Sequence, residues 1–288
     1  MTEMEEFLET LSLVQAEPDT FQGRSPDFGW TRVFGGQILA QALAAAQRTV
    51  TRDRFVHSLH AYFHSPGEVT APIRYNVART RDGRRFTARR INATQHGKIV
   101  LTMEASFHVD EGGPDHQNAM PLDVPPPDSL PDPVVFLGHQ AQKSAQATRD
   151  LWERPTPFEI RPVVLDHYIS RAARMPVQQV WMRPKSPLPL DRVQNAAVLT
   201  FMSDMTLLGV ATFAHGGALT DPGVRSGSIS HAMWFHRPCP LDNWLLYSQD
   251  SPSSQNALGL ARGSIYASGG ILVATVVQEG LLRFDELT

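Results

Sequence analysis

The stretch GSISHAMWFHRP, Gly227 to Pro238, sets a hydroxyl and an imidazole three residues apart, at Ser228 and His231. Serine beside histidine is the elementary nucleophile-and-base pair of covalent hydrolysis. That chemistry has a recognisable setting, a Gly-x-Ser-x-Gly turn between a strand and a helix. The chain holds no such pentapeptide, and Ser228 leads into a run that reads as a strand. Side chains alternate along a regular strand, so an odd separation predicts that Ser228 and His231 point to opposite faces. This argues against a Ser–His nucleophilic pair. His57, His60 and His64 alternate with apolar residues on another strand-like run and read as satisfied core or surface positions.

The bulk numbers narrow the field. The chain has 288 residues, 42% of them hydrophobic, enough for one large core or two of ordinary size. A net charge of -3 gives no reason to expect nucleic acid or an anionic membrane as partner. One cysteine, Cys239, excludes an internal disulfide and a Cys-rich metal site. The acidic opening MTEMEEFLETLSLVQ lacks the basic-then-apolar pattern of a secretory signal, and no apolar run reaches the ~20 residues of a membrane span. The expectation is a soluble, cytoplasmic protein.

The elements that must position any site come next. GQILAQALAAAQR, from Gly36, is rich in Ala and Leu and predicts a buried helix, opened by the Gly35-Gly36 pair. FVHSLHAYFH, a hairpin turning at Asp82-Gly83, and KIVLTMEASFHV after His96-Gly97 predict strands. Seven prolines between Asp110 and Val135 predict a linker outside the core, and HQAQKSAQATRDLWER a short exposed helix. Beyond it, FEIRPVV and QQVWMRP predict strands. RVQNAAVLTFMSDMTLLGVATFAHGG predicts a helix interrupted near Ser203-Asp204, and four further strand-like runs follow.

The two halves share one order, a charge-poor helix and then a run of strands. Shifted by 172 positions, Phe63 falls on Phe235, His64 on His236, Pro66 on Pro238, Tyr75 on Tyr247, Arg90 on Arg262, Gly97 on Gly269 and Ile99 on Ile271. The pattern predicts a tandem duplication of an α+β unit, each antiparallel sheet wrapping one long helix. The division is residues 1–110, a Pro-rich linker over 111–150, and a second unit over 151–288.

At RVFGGQILAQAL, HSLHAYFHSPG, RDGRRFTARR, GKIVLTMEASFH, SDMTLL, SISHAMWFHRP, WLLYSQDSP and ARGSIYASGGILVATVVQEGLLR the chain resembles the acyl-CoA thioesterase II (TesB-like) family. That resemblance implies a tandem double hotdog fold and hydrolysis of fatty acyl-CoA to free acid and CoA. It implies a catalytic set of Asp204, Ser228 and Gln278 that activates a water, with no metal and no cofactor. It implies acyl-CoA as partner, a homo-oligomer, no nucleic acid and no membrane insertion. Read alone, Asp204 after Ser203 is a helix cap and Ser228 a structural serine. Gln278 in an apolar strand is an amide that must be hydrogen-bonded. Their coincidence on the family's positions changes that reading.

Attack of water on a thioester needs a base, a held water and a donor for the oxyanion. Asp204 in the first turn of a helix would be kept charged by the helix dipole. Gln278 and Ser228 supply hydrogen bonds. For CoA phosphates the candidates are Arg84 and Arg85, within six arginines from Arg79 to Arg90, although such a hairpin can equally be a solvated surface. The Gly35-Gly36 turn is a candidate backbone donor to substrate, or a close-packing device. The rival readings are a hotdog (R)-specific enoyl-CoA hydratase, whose Asp/His dyad motif is absent, and a non-catalytic acyl-CoA-binding protein.

Overall fold

A computed structural model describes residues 2–25, 32–140, 146–186 and 190–285. Residues 141–145 of the expected exposed helix lie outside the described residues, as does the stretch 286–288. Among the described residues, twelve strands form one antiparallel sheet in the order β1-β2-β4-β5-β6-β3-β9-β12-β11-β10-β8-β7. The first half carries β1 (Val14–Glu17), β2 (Thr20–Gly23), β3 (Phe55–Phe63), β4 (Ile73–Asp82), β5 (Phe86–Gln95) and β6 (Lys98–His108). The second carries β7 (Phe158–Pro162), β8 (Val177–Pro184), β9 (Val224–Phe235), β10 (Leu245–Gln255), β11 (Leu258–Ala267) and β12 (Ile271–Phe284). Read outward from the central β3–β9 pair, the order is a mirror of itself: β6 answers β12, β5 answers β11, β4 answers β10, β2 answers β8. This is the tandem double hotdog.

Each half wraps a helix. In chain order the helices are α1 (Glu3–Leu11), α2 (Gly35–Gln47), α3 (Pro133–His139), α4 (Gln146–Glu153) and α5 (Arg192–Ser203). Helix α2 buries Leu39, Leu43 and a row of alanines completely, and their small side chains let the sheet close on it. Its buried Gln41 is fully bonded: it donates to the Thr10 and Arg24 carbonyls and accepts from the Tyr75 hydroxyl at 2.6 Å. Helices α2 and α5 run antiparallel, because Gln47 at the end of α2 donates to the Val193 carbonyl while Gly36 at its start meets Asp204 beyond α5. The duplication shows in matched bonds, with His64 against Thr102 and His236 against Thr275, both at 2.9 Å. Arg90 and Arg262, also matched, are each ion-paired on the sheet surface, to Glu104 and Asp250.

Three expectations need correction. Strands β1 and β2, before the first helix, are the counterparts of β7 and β8 and are not evident in the sequence. The Pro-rich segment is not merely a linker: Met120, Val124 and Leu130 pack on Trp181, Leu246, Tyr266 and Leu272 of the second half. The chain from Arg192 to His215 is long and apolar enough to cross a membrane, yet it is α5 followed by a 3-10 turn, mostly buried in the core.

Candidate active site

The two halves build the site together. Asp204 is the C-cap of α5, not a first-turn residue, so its own helix dipole opposes its charge. The compensation comes from the other half. The N–H of Gly36, in the first turn of α2, donates to Asp204 Oδ2 at 2.7 Å, and the positive end of α2 faces the carboxylate. This approach explains the glycine pair. A Cβ on Gly35 would stand 2.7 Å from Asp204 Oδ2, and one on Gly36 would stand 2.5 Å from the Phe201 carbonyl oxygen.

Gln278, on β12, donates through Nε2 to Asp204 Oδ1 at 2.6 Å and to Ser228 Oγ on β9 at 2.9 Å. Both amide hydrogens are thereby used, and Oε1 is buried with no partner among the described residues. Ser228 accepts in that bond, so its own hydroxyl hydrogen remains to donate. Asp204, Ser228 and Gln278, far apart in sequence, thus form one hydrogen-bonded chain. The Asp204 side chain is 5% exposed. Burial pushes its carboxyl up to about 7, against the lowering pull of the bonds from Gln278 and Gly36.

His231 lies in the same cluster, which corrects the expected orientation. In the β9–β12 ladder Gln278 pairs with His231, Glu279 with Ser230 and Gly280 with Ser228. Ile229 is therefore the extra residue of a β-bulge, and the bulge restores Ser228 and His231 to one face. The bulge is inherited: Phe107 pairs with Val56 and Ser106 with Ser58, which leaves His57 extra at the matching place in the first half. His231 is fully buried, with Nε2 3.0 Å from Ser203 Oγ and Nδ1 3.9 Å from Asp204 Oδ1. Desolvation lowers its pKa to about 3, so the ring is neutral.

The duplication places a second position opposite the first, and it carries none of this chemistry. The C-cap of α2 is Arg48 where α5 has Asp204. By strand register Val56 answers Ser228, Leu59 answers His231 and Ala105 answers Gln278, and all three of these counterparts are buried.

Arg84 and Arg85 are not brought to the site. They sit at the β4–β5 turn, beside the His108–Phe55 end of the first half. Ser230 pairs with Tyr62 near the other end of β3, roughly 25 Å away at about 3.3 Å per strand residue. Arg54 donates to both their carbonyls, and Arg85 is paired with Glu111. His57 bonds Ser106, His60 stacks edge-on against Trp234 and His64 bonds Thr102 on the sheet.

A cavity of about 390 Å³ is lined by Phe34, Leu151, Trp152, Phe158, Phe201 and Met205 among others, and not by Asp204, Ser228 or Gln278 themselves. Phe34 and Met205 adjoin Gly35 and Asp204 in the chain. Leu151 and Trp152 come from α4, expected as a short exposed helix, and Pro133 and Val134 from the Pro-rich segment, so both form part of the wall.

Comparison with known proteins agrees with this architecture. An acyl-CoA thioesterase profile matches residues 150–281, and an acyl-CoA thioesterase N-terminal domain profile matches residues 23–108. Acyl-CoA thioesterase 2 of Haemophilus influenzae is 37% identical over 277 residues, 96% of each chain. The crystal structure of the acyl-CoA thioesterase II TesB2 from Mycobacterium marinum superposes with a TM-score of 0.79 at 38% identity, covering 97% of this chain and 99% of that one. A hot dog fold protein from Alicyclobacillus acidocaldarius, 22% identical with a TM-score of 0.76 over 96% of this chain and 97% of its own, shares the fold. With both halves matched and relatives aligned over nearly their whole length, the chain belongs to the acyl-CoA thioesterase family.

Proposed function

We propose that the chain hydrolyses acyl-CoA thioesters by direct attack of one water, with Asp204 as general base and no acyl-enzyme intermediate. The observation that carries the reading is the hydrogen-bonded chain Asp204–Gln278–Ser228, with links of 2.6 and 2.9 Å. A carboxyl raised to about 7 is matched to taking a proton near neutral pH. The water oxygen bonds to the thioester carbon while its proton passes to Asp204 and the carbonyl π pair moves onto oxygen. The tetrahedral intermediate then collapses. The C–S bond breaks with its pair on sulfur, and Asp204 returns the proton to the thiolate. The products are a carboxylic acid and the free thiol of CoA.

Gln278 orients the base and Ser228 against each other, which fixes the line of attack before the substrate arrives. The Ser228 hydroxyl hydrogen and the N–H of Gly35, in the turn where helix N–H groups have no intrahelical acceptor, are the donors for the oxyanion. The apolar cavity beside Phe34 and Met205 takes the acyl chain. The reading extends to a cytoplasmic homo-oligomer.

The test follows free thiol released from acyl-CoAs of short, medium and long chain. Wild type releases thiol and Asp204→Ala falls by ~100-fold or more. Equal rates for the two proteins would remove Asp204 from the mechanism.

A further inference from the structure

The geometry points to His231 as a positioning residue whose Nδ1 lone pair receives the Asp204 hydroxyl hydrogen once Asp204 has taken the proton of water. The inference rests on Asp204 acting as base. Its first step is the tautomer. Ser203 Oγ donates to the Thr200 carbonyl at 2.8 Å, and a hydroxyl has one hydrogen. Toward His231 the serine must therefore accept, at 3.0 Å, so the imidazole carries its hydrogen on Nε2. Nδ1 is left as a bare acceptor, fully buried and without a partner among the described residues.

That acceptor stands 3.9 Å from Asp204 Oδ1. While Asp204 is charged, two electron-rich atoms face each other and no bond joins them. Once Asp204 is protonated, its O–H needs an acceptor, and a shift of about 1 Å brings Nδ1 to hydrogen-bond distance. His231 thus interacts more favourably with the state formed during attack than with the resting state, the condition for lowering a barrier. It accepts a hydrogen bond and does not take the proton, because the dry pocket disfavours an imidazolium.

The other groups facing Asp204 do not substitute for it. From β12, Gln278 presents its Nε2 donor. From α2, Gly36 presents an N–H. From β10, the buried Tyr247 donates its hydroxyl to the Ser203 carbonyl at 2.9 Å. Tyr247 and His231 are the titratable neighbours, and Tyr247 stays a neutral phenol because burial raises its pKa well above the ordinary value.

The experiment is the pH profile of kcat/KM for thiol release, on wild type, His231→Gln and His231→Asn. Gln keeps a donor for Ser203 but removes the acceptor beside Asp204, whereas Asn places an amide where Nδ1 stands and gives up the Ser203 bond. In His231→Gln the acidic limb moves down by about one pH unit and the plateau falls about tenfold, since protonated Asp204 has lost its partner. In His231→Asn the limb stays near the wild-type position, and the loss appears as a lower melting temperature. An unmoved limb in His231→Gln, or equal shifts in both variants, overturns the proposal and leaves His231 a packing residue. Asp204→Asn separates the two readings. If it is inactive at every pH the base stands whatever His231 does, and if it is fully active the base falls and this inference with it.

Discussion

Asp204 should make the folded chain less stable near neutral pH, and Asp204→Asn should reveal the cost. The carboxyl titrates at about 7 in the fold against an ordinary value of 3.8. The folded state therefore holds the proton more tightly than the unfolded chain. The stability this confers is fully present below about pH 4 and is lost as pH rises to about 7. With about 1.4 kcal/mol per pKa unit, linkage gives a charge penalty of about 2 kcal/mol at pH 5 and about 4 kcal/mol at pH 8. Asn removes the charge and fits the site. Its Oδ1 can accept from Gly36, and its Nδ2 can donate to Gln278 once that amide turns its unpartnered Oε1 inward. Urea unfolding of both proteins at pH 5 and pH 8 reads the difference. The Asn variant gains on wild type by about 2–3 kcal/mol between the two pH values, equivalent to several degrees of melting temperature. A difference that is the same at both pH values, or an Asn variant that loses ground at pH 8, would refute the buried-charge argument.

Three further outcomes follow from the site. Ser228→Ala removes the hydroxyl that Gln278 orients and lowers kcat by roughly 10–100-fold, whereas Ser228→Thr keeps the hydroxyl and stays within a few-fold of wild type in the same thiol assay. Gly35→Ala thrusts a methyl to 2.7 Å from Asp204 Oδ2. Activity drops by about tenfold or more while circular dichroism shows the fold retained, because the methyl meets the Asp204 carboxylate and the Phe63 ring, both side chains, and no backbone. Leu151→Trp fills the cavity wall contributed by α4. It raises KM for long acyl-CoAs and leaves short ones unchanged, so equal effects on both would place the acyl chain elsewhere.

What the sequence made legible was whatever repeats with a clean period. The two central helices announce themselves through Ala, Leu and the Gly35-Gly36 opening, and the long strands through their β-branched and aromatic content. The shift of 172 residues aligns Phe63 with Phe235, but α2 and α5 begin at 35 and 192, only 157 apart. The repeat therefore falls out of register before the helices, and the four-residue strands β1 and β2 had no aligned partner to expose them. Asp204 stands at the opposite end of its helix from the one its sequence suggests, for a related reason. Ser203-Asp204 has the composition of an N-cap, and only tertiary structure shows that the carboxylate answers a helix start belonging to the other half.

The orientation of Ser228 and His231 shows where pattern reasoning ends. Alternation is a rule for regular strands, and a single bulge residue inverts it for everything beyond. Neither Ile229 nor His57 is a glycine, so composition does not mark the bulge. The matched bulge in the first half, where Val56 and Leu59 stand for Ser228 and His231, indicates that the distortion belongs to the duplicated fold. The second half carries its polar residues on the face that the bulge makes available. Polar residues at positions whose counterparts are Val56, Leu59 and Ala105 are therefore the informative contrast within this one chain. Core packing accounts for the apolar set, whereas Ser228, His231 and Gln278 gather around a carboxylate whose burial opposes its charge, the contrast on which the proposed chemistry rests.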